Sequence, residues 1–88
     1  MPRISAFYGI VIYMYWYDTK RHNKAHFHVR YAGEYAVYDF DGNLLDGKIP
    51  KRAQKLVKAW AKERRLELEF AWLKATSGEM IPWIQPLS

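Results

Sequence analysis

The chain has 88 residues, enough for one compact domain and too few for two. Half of the residues are hydrophobic and 17% are aromatic, so one core can form without cross-links. Cysteine is absent, which excludes disulfides and thiolate-bound zinc or iron–sulfur centres and favours a reducing, cytoplasmic location. The net charge of +5 either keeps the protein soluble or attracts a polyanionic partner.

The first apolar stretch, residues 4–17, is shorter than the roughly 20 residues of a membrane-spanning helix. No small-residue cleavage site follows it, so we expect neither export nor membrane insertion. Its Ile, Val, Tyr and Trp content predicts one strand over Phe7–Tyr17 with two apolar faces. A small helical layer covers only one face, so we expect a homo-oligomer or heteromer that buries Tyr13, Tyr15 and Tyr17.

The segment His26–Tyr31 alternates strictly between apolar and polar side chains. Because successive side chains of a strand point to opposite faces, the pattern predicts a strand with one apolar and one polar face. The apolar face carries Phe27, Val29 and Tyr31. The polar face carries His26, His28 and Arg30.

The next strand is predicted over Glu34–Phe40, after a two-residue turn. This register places Asp39 opposite His26, whereas a three-residue loop would bury the carboxylate on the apolar face at a high cost. A hairpin signal at Asp41-Gly42 predicts a short further strand over Asn43–Asp46.

The hydrophobic period becomes helical over residues 51–77, and a change of phase predicts a bend or break near Arg64. Gly78 is the expected helix stop, and the tail Met80–Leu87 is expected to lie extended across the core. The sequence therefore predicts a single α+β domain over residues 1–88. It has an antiparallel sheet of three to four strands, a C-terminal helical segment of one bent helix or two helices, and an extended tail.

Three histidines within seven residues are the most suggestive chemical feature. A His-x-His strand points both imidazoles the same way, about 7 Å apart at the backbone, which suits acid–base catalysis or chelation of a metal ion. The candidate catalytic residues are His26, His28, Arg30, His22 and Asp39. Arg30 would neutralise a phosphate and Asp39 would orient His26, with no cofactor required. Two alternatives stay open: a metal site formed by His22, His26 and His28, and a solvated polar strand face without chemistry.

Basic residues are concentrated in two places. The loop before the histidine strand and the strand itself carry the candidate nucleic-acid contacts Lys20, Arg21, Lys24 and Arg30. The helical segment carries a run that is either a solvated helix face or a surface that follows a phosphate backbone. Its members are Lys51, Arg52, Lys55, Lys58, Lys62, Arg64 and Arg65.

Five short motifs are spread over the whole chain. They are Met1-Pro2-x-Ile4-Ser5-x-Phe7-Tyr8-Gly9-Ile10-x-Ile12-x-Met14, His22-x-x-x-His26-Phe27-His28-Val29, Gly47-Lys48-Ile49-Pro50, Val57-x-x-Trp60 and Ile84-x-Pro86-Leu87. With them the chain resembles a small bacterial family known as domain of unknown function 4160. That family usually has two prolines before the histidine motif. Lys24 and Ala25 stand there in this chain, so we expect a more flexible and more basic loop.

The resemblance implies a second small protein, because members of the family are often encoded beside one in an arrangement that looks like a toxin–antitoxin operon. Together with the residues above, the resemblance favours a toxin-like protein that acts on RNA as a metal-free ribonuclease. The cognate protein would neutralise it. The 2′-hydroxyl would attack the adjacent phosphate while two histidines share the base and acid roles. Two other functions stay open: a non-enzymatic module that binds the cognate protein, and a histidine-based metal-binding domain.

Overall fold

The computed structural model describes residues 2–15 and 24–88. Within them one antiparallel sheet contains five strands that neighbour each other in chain order. The strands are β1 (Arg3–Phe7), β2 (Ile10–Tyr13), β3 (His26–Tyr31), β4 (Glu34–Asp39) and β5 (Leu44–Gly47), and the helices are α1 (Lys51–Glu63) and α2 (Arg65–Thr76). The predicted α+β class is confirmed, with one strand more than expected.

The additional strand comes from the first apolar stretch. The sequence predicts one continuous strand over Phe7–Tyr17, and this prediction is wrong. Tyr8 and Gly9 form a two-residue turn with φ values of 49° and 78°, and β1 and β2 pair around it. Turns with two positive φ values match the twist of a hairpin, but a tyrosine is an uncommon first residue for one.

The predicted register between β3 and β4 is confirmed. Their two-residue turn at Ala32-Gly33 sets His26 opposite Asp39 and Arg30 opposite Tyr35. β3 is therefore the middle strand of the sheet, paired with β2 on one side and β4 on the other. This position surrounds its side chains with neighbours from both strands.

The core lies between the sheet and the helical layer, with Trp60 of α1 at its centre. Its ring packs edge to face on Phe27, with centroids 5.4 Å apart, and it is fully buried. The indole nitrogen donates a hydrogen bond of 2.9 Å to the carbonyl of Gln85 in the tail. The tail also reaches β1, because the Ile84 amide donates to the carbonyl of Ile4 at 2.7 Å. The expected extended tail across the core is thus observed.

The predicted break in the helical segment is confirmed at Arg64, which separates α1 from α2. Arg64 is half-buried, and its guanidinium donates to the carbonyl of Pro86 at 3.2 Å and pairs with Glu67 at 3.6 Å. Its assignment to a solvated basic surface is therefore wrong, since it joins the helices to the tail. The predicted stop is also confirmed, because Gly78, which follows the C-cap residue Ser77 of α2, has a φ of 72°. No helix among the described residues is long and apolar enough to cross a membrane.

Candidate functional site

β3 places two histidines on the same side of the sheet. The rings of His26 and His28 meet edge to face, with centroids 5.2 Å apart. Phe27 and Val29, on the opposite side, are fully buried in the core. The predicted alternation is confirmed, although Tyr31 is only half-buried.

The histidines do not form the solvated strand face that the sequence left open as an alternative, because the exposed fraction is 0% for His26 and 2% for His28. The imidazole of His28 is stacked on the ring of Tyr15 at 4.0 Å, and the ring of Tyr35 lies 6.0 Å away on its β4 side. The two phenol oxygens lie 3.1 and 3.4 Å from Nδ1, so a neutral His28 can accept a hydrogen bond there. A substrate phosphate would reach this ring only after one of the tyrosines had moved.

His26 is held by the backbone and by the helical layer. Its Nδ1 lies 2.7 Å from the carbonyl oxygen of Lys24. Because a carbonyl only accepts hydrogen bonds, Nδ1 carries a proton and donates it. Trp72 of α2 packs against the imidazole with ring centroids 5.2 Å apart, and it also contacts Phe40. His26 therefore links the start of β3 to α2.

Asp39 lies opposite His26 in the sheet as predicted, but its carboxylate is directed to the turn after β4. It accepts hydrogen bonds from the backbone amides of Asp41 and Asn43 at 3.0 and 2.8 Å, and from the Asn43 side chain at 3.1 Å. Lys24 pairs with it at 3.3 Å. Burial by itself would raise the pKa of Asp39, but these hydrogen bonds outweigh burial and hold the pKa below its usual value. The geometry makes Asp39 the organiser of the β4–β5 turn rather than a residue that orients His26.

Of the remaining predicted site residues, the structure describes Arg30 and Lys24, and they lie at opposite ends of β3. Arg30 is exposed near the end of β3, whereas Lys24 lies just before the start of the same strand. Lys20, Arg21 and His22 lie outside the described residues. Across the ranges 2–15 and 24–88, no three His, Asp or Glu side chains are placed to hold one metal ion, and the alternative metal set also requires His22.

Charge is concentrated on the solvent side of α1. Five of its side chains are exposed cations, and its only acidic residue is Glu63 at the C-terminal end. The exposed cations are Lys51, Arg52, Lys55, Lys58 and Lys62. The sequence predicts this arrangement, because the basic residues alternate with the buried row that contains Trp60.

The structure adds a feature that the sequence pattern does not contain, which is the position of Lys24 relative to the helices. A hollow of about 350 Å³ is lined by Lys58, Lys62 and Arg65 together with Phe40 and Asp41. A second hollow of about 160 Å³ shares Phe40, Asp41 and Arg65 and is bordered by Lys24. We call the exposed cations of α1, Arg65 and Lys24 the basic surface. The position of Lys24 beside it depends on β4 and its turn, which bring distant parts of the chain together.

These features define a small basic α+β protein with a five-stranded antiparallel sheet, a buried histidine pair and a basic surface across its first helix. The chain belongs to the family described as domain of unknown function (DUF4160), whose model matches residues 9–73. The match includes the histidine strand, all of α1 and most of α2. No curated protein and no solved structure matches the chain.

Proposed function

We propose that this protein is the toxin-like component of a bacterial two-gene module and that it binds the phosphate backbone of RNA. The observation that carries the proposal is the row of five exposed cations on α1, of which Lys58 and Lys62 line a hollow together with Arg65. Arg65 and Lys24 extend the basic surface, although each is already paired with a carboxylate, that of Asp41 and that of Asp39. Lysine and arginine side chains that bind phosphates release counterions and give an affinity that depends strongly on salt and weakly on base sequence. The overall charge of +5 also favours encounter with a polyanion.

The geometry supports binding better than cleavage. Metal-free cleavage requires His26 and His28 to exchange protons with the reacting groups of the RNA, at hydrogen-bonding distance. Both imidazoles are buried, and Tyr15 and Tyr35 flank the ring of His28. We therefore propose that the pair stabilises the sheet, and that cleavage by this pair would require an opening of the tyrosines.

The cognate small protein would act by binding the same surface as RNA. An acidic surface on that protein would cover α1 and compete with RNA for the same cations. Neutralisation would then be a competition for one surface, without any chemical step. This arrangement predicts that excess RNA weakens the binding of the cognate protein.

The proposal is tested by RNA binding at several salt concentrations, with Lys62→Glu as the variant. We expect weaker binding. We also expect the slope of log K against log salt concentration to become less steep, by about 0.7 for each phosphate of a single-stranded RNA that the variant no longer neutralises. Arg3→Glu is the matched control, because Arg3 is exposed on β1 and the charge change is the same. Equal weakening by both variants would mean that only net charge matters, and the assignment to α1 would then fail.

A growth assay tests the cellular part of the proposal. Expression of the protein is expected to slow growth, and co-expression of the neighbouring gene product is expected to restore it. His28→Phe keeps an aromatic ring between the tyrosines and removes both nitrogens. If His28→Phe folds and binds RNA but no longer slows growth, the histidine is catalytic and binding alone is not the activity. If expression is harmless with or without the neighbour, the toxin-like role is refuted.

A further inference from the structure

α2 is apolar on two opposite sides. Leu68, Ala71 and Ala75 are buried against the rest of the protein. Three larger side chains on the other side, which we call the outer row, remain in solvent. Leu66 is 79% exposed, Phe70 is 53% exposed and Leu73 is 60% exposed.

The outer row is one continuous surface, because its spacing of i, i+4 and i+7 keeps the three side chains on one face of the helix. The tail extends this surface beyond the helix. Leu66 and Phe70 form a hollow of about 280 Å³ with Trp83, which is itself more than half exposed. Contiguous exposed apolar residues of this size mark surfaces that bind another protein.

We infer that the outer row is covered by a second copy of this chain, with α2 packed antiparallel against α2 about a two-fold axis. The charge of α2 favours a second copy at this face. α2 contains two acidic and two basic residues, whereas α1 carries five exposed cations. A second copy can therefore approach α2 without the repulsion that it would meet at α1.

The outer row is flanked by two residues of opposite charge. Glu67 and Lys74 lie seven residues apart, so they border the row on the same side of the helix. In an antiparallel pair this side meets its own copy in the reverse direction, so that Glu67 of each chain faces Lys74 of the other. Because the two copies are related by a two-fold axis, the interface contains this Glu–Lys pair twice. These contacts would add to the pairs inside each chain, in which Glu67 meets Arg64 at 3.6 Å and Lys74 meets Glu79 at 3.1 Å.

The position of α1 favours antiparallel over parallel helices. α1 runs into α2 through Arg64, so Lys62 lies close to the N-terminal end of α2. Parallel helices would place the cationic ends of two α1 helices side by side. The antiparallel arrangement puts them at opposite ends of the interface, which lowers their repulsion.

The test is sedimentation velocity of the full chain from low to high micromolar concentration, together with Leu73→Glu. Wild type is expected to form a dimer, and Leu73→Glu is expected to raise the dissociation constant about tenfold or more, because a carboxylate would be buried in an apolar interface. Leu44→Glu is the matched control, since Leu44 is an exposed leucine on β5. Leu44→Glu is expected to leave the dimer unchanged.

A charge exchange tests the direction of the helices. Glu67→Lys and Lys74→Glu are each expected to weaken the dimer, and the double variant is expected to recover most of the affinity because each pair is restored with reversed sign. A double variant as weak as the sum of its parts would refute the antiparallel arrangement.

A wild type that stays monomeric at high concentration, or a control as disruptive as Leu73→Glu, would refute the second copy. If wild type is monomeric and Leu73→Glu abolishes only the binding of the neighbouring gene product, the outer row binds that protein instead. The RNA-binding variant Lys62→Glu leaves this surface intact, so the proposed RNA binding and the dimer can fail separately.

Discussion

Replacing His28 with alanine is expected to weaken the fold, because its side chain is 2% exposed and stacked on Tyr15 at 4.0 Å. Truncation of a buried aromatic side chain to alanine costs about 3–5 kcal/mol, and an imidazole is smaller than a benzyl group, so we expect about 2–3 kcal/mol. Of this, about 0.5–1.5 kcal/mol would come from the aromatic stacking that alanine cannot make. In a chain of this size each kcal/mol lowers the melting temperature by about 4–8 °C, so the expected decrease is about 8–24 °C.

The measurement is thermal and urea unfolding followed by circular dichroism. Arg30→Ala is the matched control, because Arg30 lies on the same strand and is exposed, so its loss should change the free energy of unfolding by no more than about 0.5 kcal/mol. His28→Phe keeps a ring in the stack and should be less destabilising than His28→Ala. The reasoning is refuted if His28→Ala is no more destabilising than Arg30→Ala.

Two further predictions concern the backbone and a buried carboxylate. Gly47→Ala should destabilise the protein more than Gly33→Ala. Both glycines have positive φ values, which cost alanine about 1–2 kcal/mol, but only at Gly47 would the new Cβ clash with the carbonyl oxygen of Tyr35. Equal effects in urea unfolding would contradict the predicted clash. Asp39 has a pKa held below its usual value, so its ionised form contributes stability above about pH 4 that is lost as the pH falls through the folded-state pKa. The stability difference between wild type and Asp39→Asn should therefore shrink in urea titrations below about pH 4, and a difference independent of pH would show that the carboxylate charge is not stabilising.

Tyr15 also bears on how the protein assembles. The sequence predicts an oligomer in which Tyr13, Tyr15 and Tyr17 are buried. Tyr13 and Tyr15 are already half-buried within one chain, Tyr15 through its stacking on His28, and Tyr17 lies outside the described residues. Among the described residues, the outer row of α2 is an exposed apolar surface on the helical layer, away from these tyrosines.

Local patterns in the sequence were sufficient to predict several elements. Strict alternation over His26–Tyr31 predicted a strand, and the cost of burying Asp39 on the apolar face selected the observed register. The phase change near Arg64 predicted the break between the helices. Each of these elements depends on interactions between residues that are close along the chain or directly opposite in one hairpin. A short window of sequence therefore contains the residues that decide it.

The Tyr8-Gly9 turn and the burial of the histidines could not be predicted in that way. Tyr8 adopts a positive φ that is unfavourable for its own residue type, and the pairing of β1 with β2 compensates for this cost. His28 is buried because Tyr35 of β4 and Tyr15, two residues beyond the end of β2, lie against its ring.

The outer row of α2 was decided by the tertiary structure for the same kind of reason. The sequence contains two apolar rows on α2. One continues the stripe of α1 through Leu68, Ala71 and Ala75, and the other consists of the larger side chains Leu66, Phe70 and Leu73, which hydrophobicity alone would favour for burial. The structure buries the row that contains Ala71 and Ala75 instead. Trp60 and Phe27 occupy much of the space between the sheet and the helices, and the face of α2 that packs there presents two alanines beside one fully buried leucine, Leu68. The row of α2 that faces the core is therefore set by the space that residues distant in sequence leave free. The local sequence pattern of α2 gives no information about that space.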